Sequence, residues 1–168
     1  MPDKNVINEI TVRTQLQPGD IGYIIYLHGV LYKQEYDFGV DFESYVAAGL
    51  HEFYTQYDAT KDCVWICEHH GKIVGFLLLM HRPGNTAQLR YFIITPSYRG
   101  IGLGKLLMEH YMKFFYSAGY SSSYLWTTSD LDAAAALYKK FGFQLSEEKE
   151  STTFGRLVTE QRYDLREM

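Results

Sequence analysis

Cysteine is scarce in this chain: Cys63 and Cys67 are the only two in 168 residues. That is too few for a disulfide framework, so the expected compartment is the reducing cytoplasm. Proline occurs four times. No linker, internal repeat or low-complexity segment divides the chain, and its length fits one domain, expected over 1–168. Apolar runs are short. None approaches the ~18–20 residues of a membrane span, so no membrane partner is expected. The opening MPDKNVINEI is polar and acidic, unlike a signal peptide. Carboxylates are missing altogether from residues 69–108.

Aromatics, by contrast, are plentiful, with fifteen Tyr and ten Phe, and hydrophobic residues make up 46%. The chain can build a sizeable core, and disorder is excluded. Charge is unevenly spread. Residues 1–68 hold eleven acids against four Lys/Arg, and residues 109–168 hold nine against seven. The acid-free stretch between them carries Lys72, Arg82, Arg90, Arg99 and Lys105, with His69, His70 and His81. Strands deplete Asp and Glu, which accounts for such a stretch as well as an anionic ligand does until its loop is considered. The island is small and the whole chain acidic, at −4, which argues against a nucleic-acid partner.

Alternation over 8–16 predicts a first strand, and Pro18, Gly19 and Asp20 then punctuate, with Asp20 as N-cap. Helical spacing follows over 21–36 and about 41–56. Strands are expected at 63–69, 72–81 and 87–95, the first two joined by a tight turn at His70 and Gly71. Leu103, Leu106, Leu107, His110, Tyr111, Phe114 and Ala118 form one helical stripe, stopped by Gly119. A strand at 123–128, a helix at 129–141 capped by Ser129 or Asp130, and strands at 143–149 and 155–165 complete the chain. The order β-α-α-β-β-β-α-β-α-β-β implies an α/β (mixed α+β) fold: a central mixed, mostly antiparallel sheet of about seven strands flanked by four helices.

Between the third of those inner strands and the long helix stands YRGIGLGKLL, residues 98–107, with glycine at every second position. The first N–H groups of a helix lack internal partners and sit at the positive end of its dipole. Glycines let them approach an anion with no Cβ in the way. Two familiar phosphate loops are excluded. A Walker A loop needs four residues between its glycines and then Lys-Ser/Thr, whereas three separate Gly100 from Gly104 and Leu106 follows Lys105. A dinucleotide fingerprint, G-x-G-x-x-G, would need its last glycine one position later.

The stretch LRYFIITPSYRGIGLGKLL, residues 89–107, resembles the acyl-CoA-binding motif of the GNAT N-acetyltransferase superfamily, with Arg99, Gly102 and Gly104 at its positions. AAALYKKFGF, residues 134–143, resembles the family's second signature, a helix with an apolar-Tyr pair ending in Gly-Phe. The spacing from His28 to Tyr32 further resembles the acetyltransferase module found fused to MarR-type regulators, here without that DNA-binding part. The resemblance implies acetyl-CoA as co-substrate. Its pyrophosphate would rest on the N–H groups of Gly100, Ile101, Gly102 and Gly104, with Arg99 and Lys105 at the rim. The pantetheine arm would bond to backbone near Phe92 and Ile94. It implies transfer to a primary amine of a small molecule, peptide or protein, by direct attack in a ternary complex. Tyr138, the helix tyrosine, would be the catalytic proton donor. The family often has Asn seven residues before that tyrosine; here Leu131 stands there and offers no polar contact.

The base is open. Glu35, Glu68, His81 or a chain of waters would serve. For the acceptor, His28, Tyr32 and Glu35 recur at helical spacing near Tyr36 and Phe38, and an aromatic, acidic wall suits an ammonium. The same helix could simply pack its tyrosines on the sheet. Cys63, Trp65, Cys67 and His69 share one face of a strand, but zinc sites gather Cys pairs from turns, so no metal is expected. A homodimer is left open. The competing class is a non-catalytic acyl-CoA sensor, which would bind acetyl-CoA without turnover.

Overall fold

Asp3 sets the chain's first turn. Its carboxylate accepts a hydrogen bond from Asn5 N–H at 2.9 Å, and residues Lys4–Glu9 coil into a 3-10 helix. Aspartate offers the backbone this local alternative to a strand. The first strand is therefore only Thr11–Arg13, shorter than the alternation over 8–16 predicts. The computed structural model describes residues 3–166; the extreme ends of the expected 1–168 span lie outside them.

After the strand β1 come the helices α1 (Asp20–Tyr36) and α2 (Val40–Thr55), then β2 (Cys63–His69), β3 (Lys72–Arg82) and β4 (Thr86–Ile94). The helix α3 (Leu103–Ser117), β5 (Ser122–Thr128), α4 (Asp132–Lys140), β6 (Gln144–Ser151) and β7 (Val158–Arg166) follow. Among the described residues, seven strands in one sheet and four α-helices make the mixed α/β fold expected, in the expected order. Among the described residues no helix is long and apolar enough to cross a membrane. The chain divides into two units, residues 3–15, 58–123 and 166 in one, 16–57 and 124–165 in the other.

In the first unit β1, β2, β3 and β4 pair antiparallel in that order. His70 and Gly71 turn β2 into β3 with φ of 51° and 74°, the doubly left-handed turn that suits the twist of a hairpin. Val74 to Met80 are buried at seven successive positions, so β3 is covered on both faces. One cover is α3. Its Leu103 Cδ2 would stand 3.4 Å from a Cβ on Gly75, so the missing side chain at that position makes room for the helix. The buried face of α3 runs through Leu103, Leu107, Met108, Tyr111, Met112 and Phe115, and Ala118 is exposed. The face is thus rotated from the predicted stripe. A helix apolar around much of its circumference leaves the sequence several stripes of equal merit.

In the second unit α1 and α2 pack together, and β6 pairs antiparallel with β7. Gly19 (φ 96°) precedes α1 with no side-chain cap. Asp20 lies inside the first turn, accepting from Gln17 N–H at 2.7 Å, so it braces the approach to the helix without being its cap. The start of α4 moves likewise. Arg156 Nη2 donates to Asp130 at 2.8 Å, and the helix begins at Asp132 behind Leu131, without a side-chain cap.

Candidate active site

The loop after β4 is short and tense. Pro96–Tyr98 form one 3-10 turn, and Gly100 (φ 79°) and Gly102 (φ 94°) take left-handed conformations that other residues rarely adopt. Ile101 between them is buried and anchors the loop. Gly102 is the N-cap of α3, and no side chain caps that end. A Cβ on Gly100 would meet nothing within 4 Å. The helix N-terminus is therefore approachable from that side. Arg99 is exposed, and its Nε donates to Ile94 O at 3.0 Å, tying the loop to the end of β4. Lys105 is exposed too, 3.9 Å from Glu109, a distance at which a surface pair contributes little.

The strand β4 is not regular. Phe76 pairs with Ile93 but Leu78 pairs with Arg90, so one residue of β3 faces two of β4. Tyr91 takes up the slack at φ 58°, and the Arg90 guanidinium lies 4.7 Å from its ring centre. Such bulges re-aim the strand. Phe92 and Ile94, the positions expected to meet the pantetheine arm, follow directly.

In the second unit, α1 presents its aromatic residues to the α1–α2 corner. His28 is buried and stacks on Tyr32 (5.7 Å between ring centres, 17° between planes). Tyr32 stacks on Phe42 at 4.5 Å, and Phe38 and Phe42 both pack on Phe154, at 5.5 and 5.1 Å. Gly39 N–H donates to Phe154 O at 2.8 Å, which holds Phe154 against the corner. This approach needs a glycine at 155: a Cβ there would stand 2.9 Å from Gly39 N. Arg156 closes the wall with Nε on Tyr36 O at 2.6 Å and its guanidinium 5.2 Å from the Phe38 ring centre. Glu35 is exposed on the same helix.

Tyr138 is buried between Phe143 and Tyr163, at ring-centre distances of 6.3 and 6.2 Å. Burial raises its phenol far above the ordinary range, and the neighbouring Tyr32 and Tyr163 add to the rise. The hydroxyl therefore stays protonated at any working pH. Two expected site residues, Tyr32 and Tyr138, thus lie near enough in this unit for the first to add to the rise of the second.

The candidate bases are occupied. Glu68 pairs with Arg13 Nε at 2.7 Å. His81 donates its backbone N–H to buried Asp62 at 2.6 Å, and its Nδ1 lies 2.8 Å from the same oxygen. The other carboxylate oxygen accepts Asp58 N–H at 2.8 Å. Asp62 therefore clamps the end of β3 to the turn before β2. Burial pushes the Cys63 thiol up to about 11 and the Cys67 thiol to about 12, which leaves neither a nucleophile at neutral pH.

The profile of the Acetyltransferase (GNAT) family matches residues 31–143, more than half of the chain. The chain belongs to the GNAT acetyltransferase family. Relatives of this GNAT chain include an uncharacterised N-acetyltransferase of Escherichia coli, YjgM, 32% identical over 56% of this chain and 59% of that protein. N-acetyltransferase family 8 member 3 of Rattus norvegicus is 29% identical over 68% of this chain and 55% of that protein. The chain spans about half the length of the curated relatives it matches. Solved structures share the fold. An acetyltransferase of the GNAT family from Staphylococcus aureus superposes with TM-score 0.74 at 18% identity, over 94% of this chain and 98% of that one. Spermidine N-acetyltransferase from Vibrio cholerae, in complex with CoA and spermine, superposes with TM-score 0.69 at 21% identity, over 95% and 96%.

Within this GNAT chain the sequence marks the glycine loop but not the bulge at Tyr91. RYFII is an unbroken strand pattern, with no Gly or Asn to signal a positive φ. Nor does spacing bring Phe154 and Arg156 to the aromatic wall, because more than a hundred residues separate them from Tyr36.

Proposed function

We propose that the chain is an acetyl-CoA-dependent N-acetyltransferase, acting as one acyl-CoA N-acyltransferase domain on the primary amine of a small molecule or peptide, in the cytoplasm. The observation that carries this reading is the uncapped N-terminus of α3 behind two left-handed glycines. Backbone N–H groups there have the direction and polarity to hold a diphosphate, and Arg99 and Lys105 supply charge beside them. Acetyl-CoA, when bound, supplies an activated thioester.

The chain's own groups do the rest. Phe92 and Ile94, beyond the bulge, offer backbone to the pantetheine arm. The aromatic wall of His28, Tyr32 and their neighbours faces an amine-bearing acceptor, and burial keeps His28 neutral, so it does not repel a cation. The amine nitrogen, deprotonated, adds to the thioester carbonyl carbon. The C–N bond forms, the C–S bond breaks, and Tyr138 O–H gives its proton to the departing sulfur. The amine's surplus proton passes to water, and water returns a proton to the Tyr138 phenolate. The V. cholerae relative's polyamine supports a cationic acceptor as the first class to screen. The finer likeness to the module fused to MarR-type regulators stands on the His28–Tyr32 spacing alone.

The test is calorimetry with coenzyme A and steady-state CoA release over an amine panel. Wild type binds CoA and turns over. Tyr138→Phe binds acetyl-CoA normally but turns over more than tenfold more slowly. Equal rates in the two proteins remove Tyr138 from its role. Binding without turnover for any amine makes the chain a sensor, and absence of CoA binding overturns the reading altogether.

A further inference from the structure

Burial holds both thiols of β2 protonated, which makes them poor metal ligands. The ligand chemistry lies one residue further, where β2 turns into β3. His69 ends β2, and His70 opens the two-residue turn with φ 51°, a conformation that folds its ring back onto His69. The ring centres are 3.9 Å apart and the planes tilted by 42°. Glu9, last residue of the 3-10 helix, reaches the same spot. Its Oε2 lies 2.9 Å from His69 Nε2 and 3.9 Å from His70 Nε2. One ligand atom from each of the three falls within 4.8 Å of the others.

We propose that Glu9, His69 and His70 form a zinc-class metal site that fastens the N-terminal 3-10 helix beside the glycine loop. Four ligands at zinc bond lengths stand roughly 3.3 Å apart, and the observed spacings bracket that value. Two imidazoles and one carboxylate are a donor set that zinc uses with a fourth position left to water. Magnesium and calcium prefer oxygen ligands throughout, which this cluster does not offer.

A second group already orients the first. Tyr98 OH lies 2.8 Å from His69 Nδ1. Without metal, His69 Nε2–H donates to Glu9 and Tyr98 O–H donates to Nδ1. With metal on Nε2, the ring carries its proton on Nδ1 and donates it to the Tyr98 oxygen. A hydroxyl serves either tautomer, as the outer partner of a metal-bound histidine must. The His69 side chain is only 10% exposed and therefore fixed, whereas those of His70 (79%) and Glu9 (60%) are open to an arriving ion.

The site borders the loop through two contacts. Tyr98 closes the 3-10 turn immediately ahead of Arg99 and Gly100. From the other side, Ile7 Cδ1 sits 3.6 Å from where a Cβ of Gly102 would point. An ion held by Glu9 pins the segment that carries Ile7. The significance of that pinning for coenzyme A rests on the function proposed above; the metal site itself does not.

The experiment uses the full chain, stripped with chelator, titrated with ZnCl2 and no coenzyme A. Equilibrium dialysis with metal analysis is expected to give one Zn2+ per chain with a Kd in the micromolar range. His70→Asn, which tolerates the left-handed backbone, and Glu9→Gln each weaken uptake at least tenfold. Zn2+ slows amide hydrogen exchange at residues 4–9 at least threefold in wild type and leaves it unchanged in His70→Asn. No uptake by wild type, equal uptake by His70→Asn, or uptake lost in Cys63→Ser overturns the site. Uptake without slower exchange at 4–9 overturns the fastening. Coenzyme A calorimetry on His70→Asn keeps failure here distinct from failure of the functional reading.

Discussion

His28 is a base kept from its proton. Burial lowers its pKa from 6.5 to about 4, against the upward pull of the hydrogen bond between Nδ1 and Ile24 O at 2.8 Å. The unfolded chain takes up a proton below 6.5 that the folded chain refuses until about 4. The unfolded state binds more protons in that window, so stability is full above pH 6.5 and falls as pH drops from 6.5 to 4. The shift corresponds to about 3 kcal/mol when complete. Urea unfolding across this window should show the decline, and His28→Gln should flatten it. The sequence placed His28 with Tyr32 on one face of a helix. It could not say that the histidine is sealed in, because Phe42 and Phe154, which help enclose the corner, come from α2 and a distant loop.

The loop between β4 and α3 was legible because its chemistry is local. Alternating glycines, a proline after a strand and an apolar helix behind them all lie within a dozen residues. What its geometry adds is the asymmetry between Gly100 and Gly102. The first faces open space and the second faces Ile7. Gly100→Ala should therefore weaken coenzyme A binding at least tenfold by calorimetry, since a methyl enters the approach to the helix terminus. Its left-handed φ adds about 1–2 kcal/mol of strain, seen as a fall of a few degrees in Tm. At Tyr91 the same strand defeats sequence reading. An aromatic in a β-branched run is expected to lie flat in the ladder, and only the register of β3 against β4 shows that it does not. Helix boundaries drifted for a related reason: Asp130, a plausible cap in isolation, is drawn away by Arg156, twenty-six residues on.

At the scale of the whole chain, fold class and element order followed from alternation and helical spacing, and two separated signatures pointed to the family. Uneven charge is the other property visible at this scale. A net −4 chain that places five of its sixteen Lys/Arg in an acid-free stretch holding the glycine loop should, on the proposed function, bind its polyanion through a local field. Raising salt from 50 to 500 mM should weaken coenzyme A binding several-fold, because that field is screened within about 10 Å at 0.1 M. A salt-independent Kd would place affinity in the loop's N–H groups alone. The meeting of Gly39 with Gly155 has a longer reach. A Cβ on Gly39 would meet only ordinary contact at 3.6 Å, whereas, with Gly39 N 2.9 Å from where its own Cβ would stand, position 155 does not accept even one extra carbon unless the backbone beside Phe154 retreats from the corner. A single codon change there would recast the aromatic wall without touching any residue in it. If the wall receives the acceptor as proposed, preference in descendants of this chain would drift through a single glycine, Gly155, that no inspection of the wall's own side chains would flag.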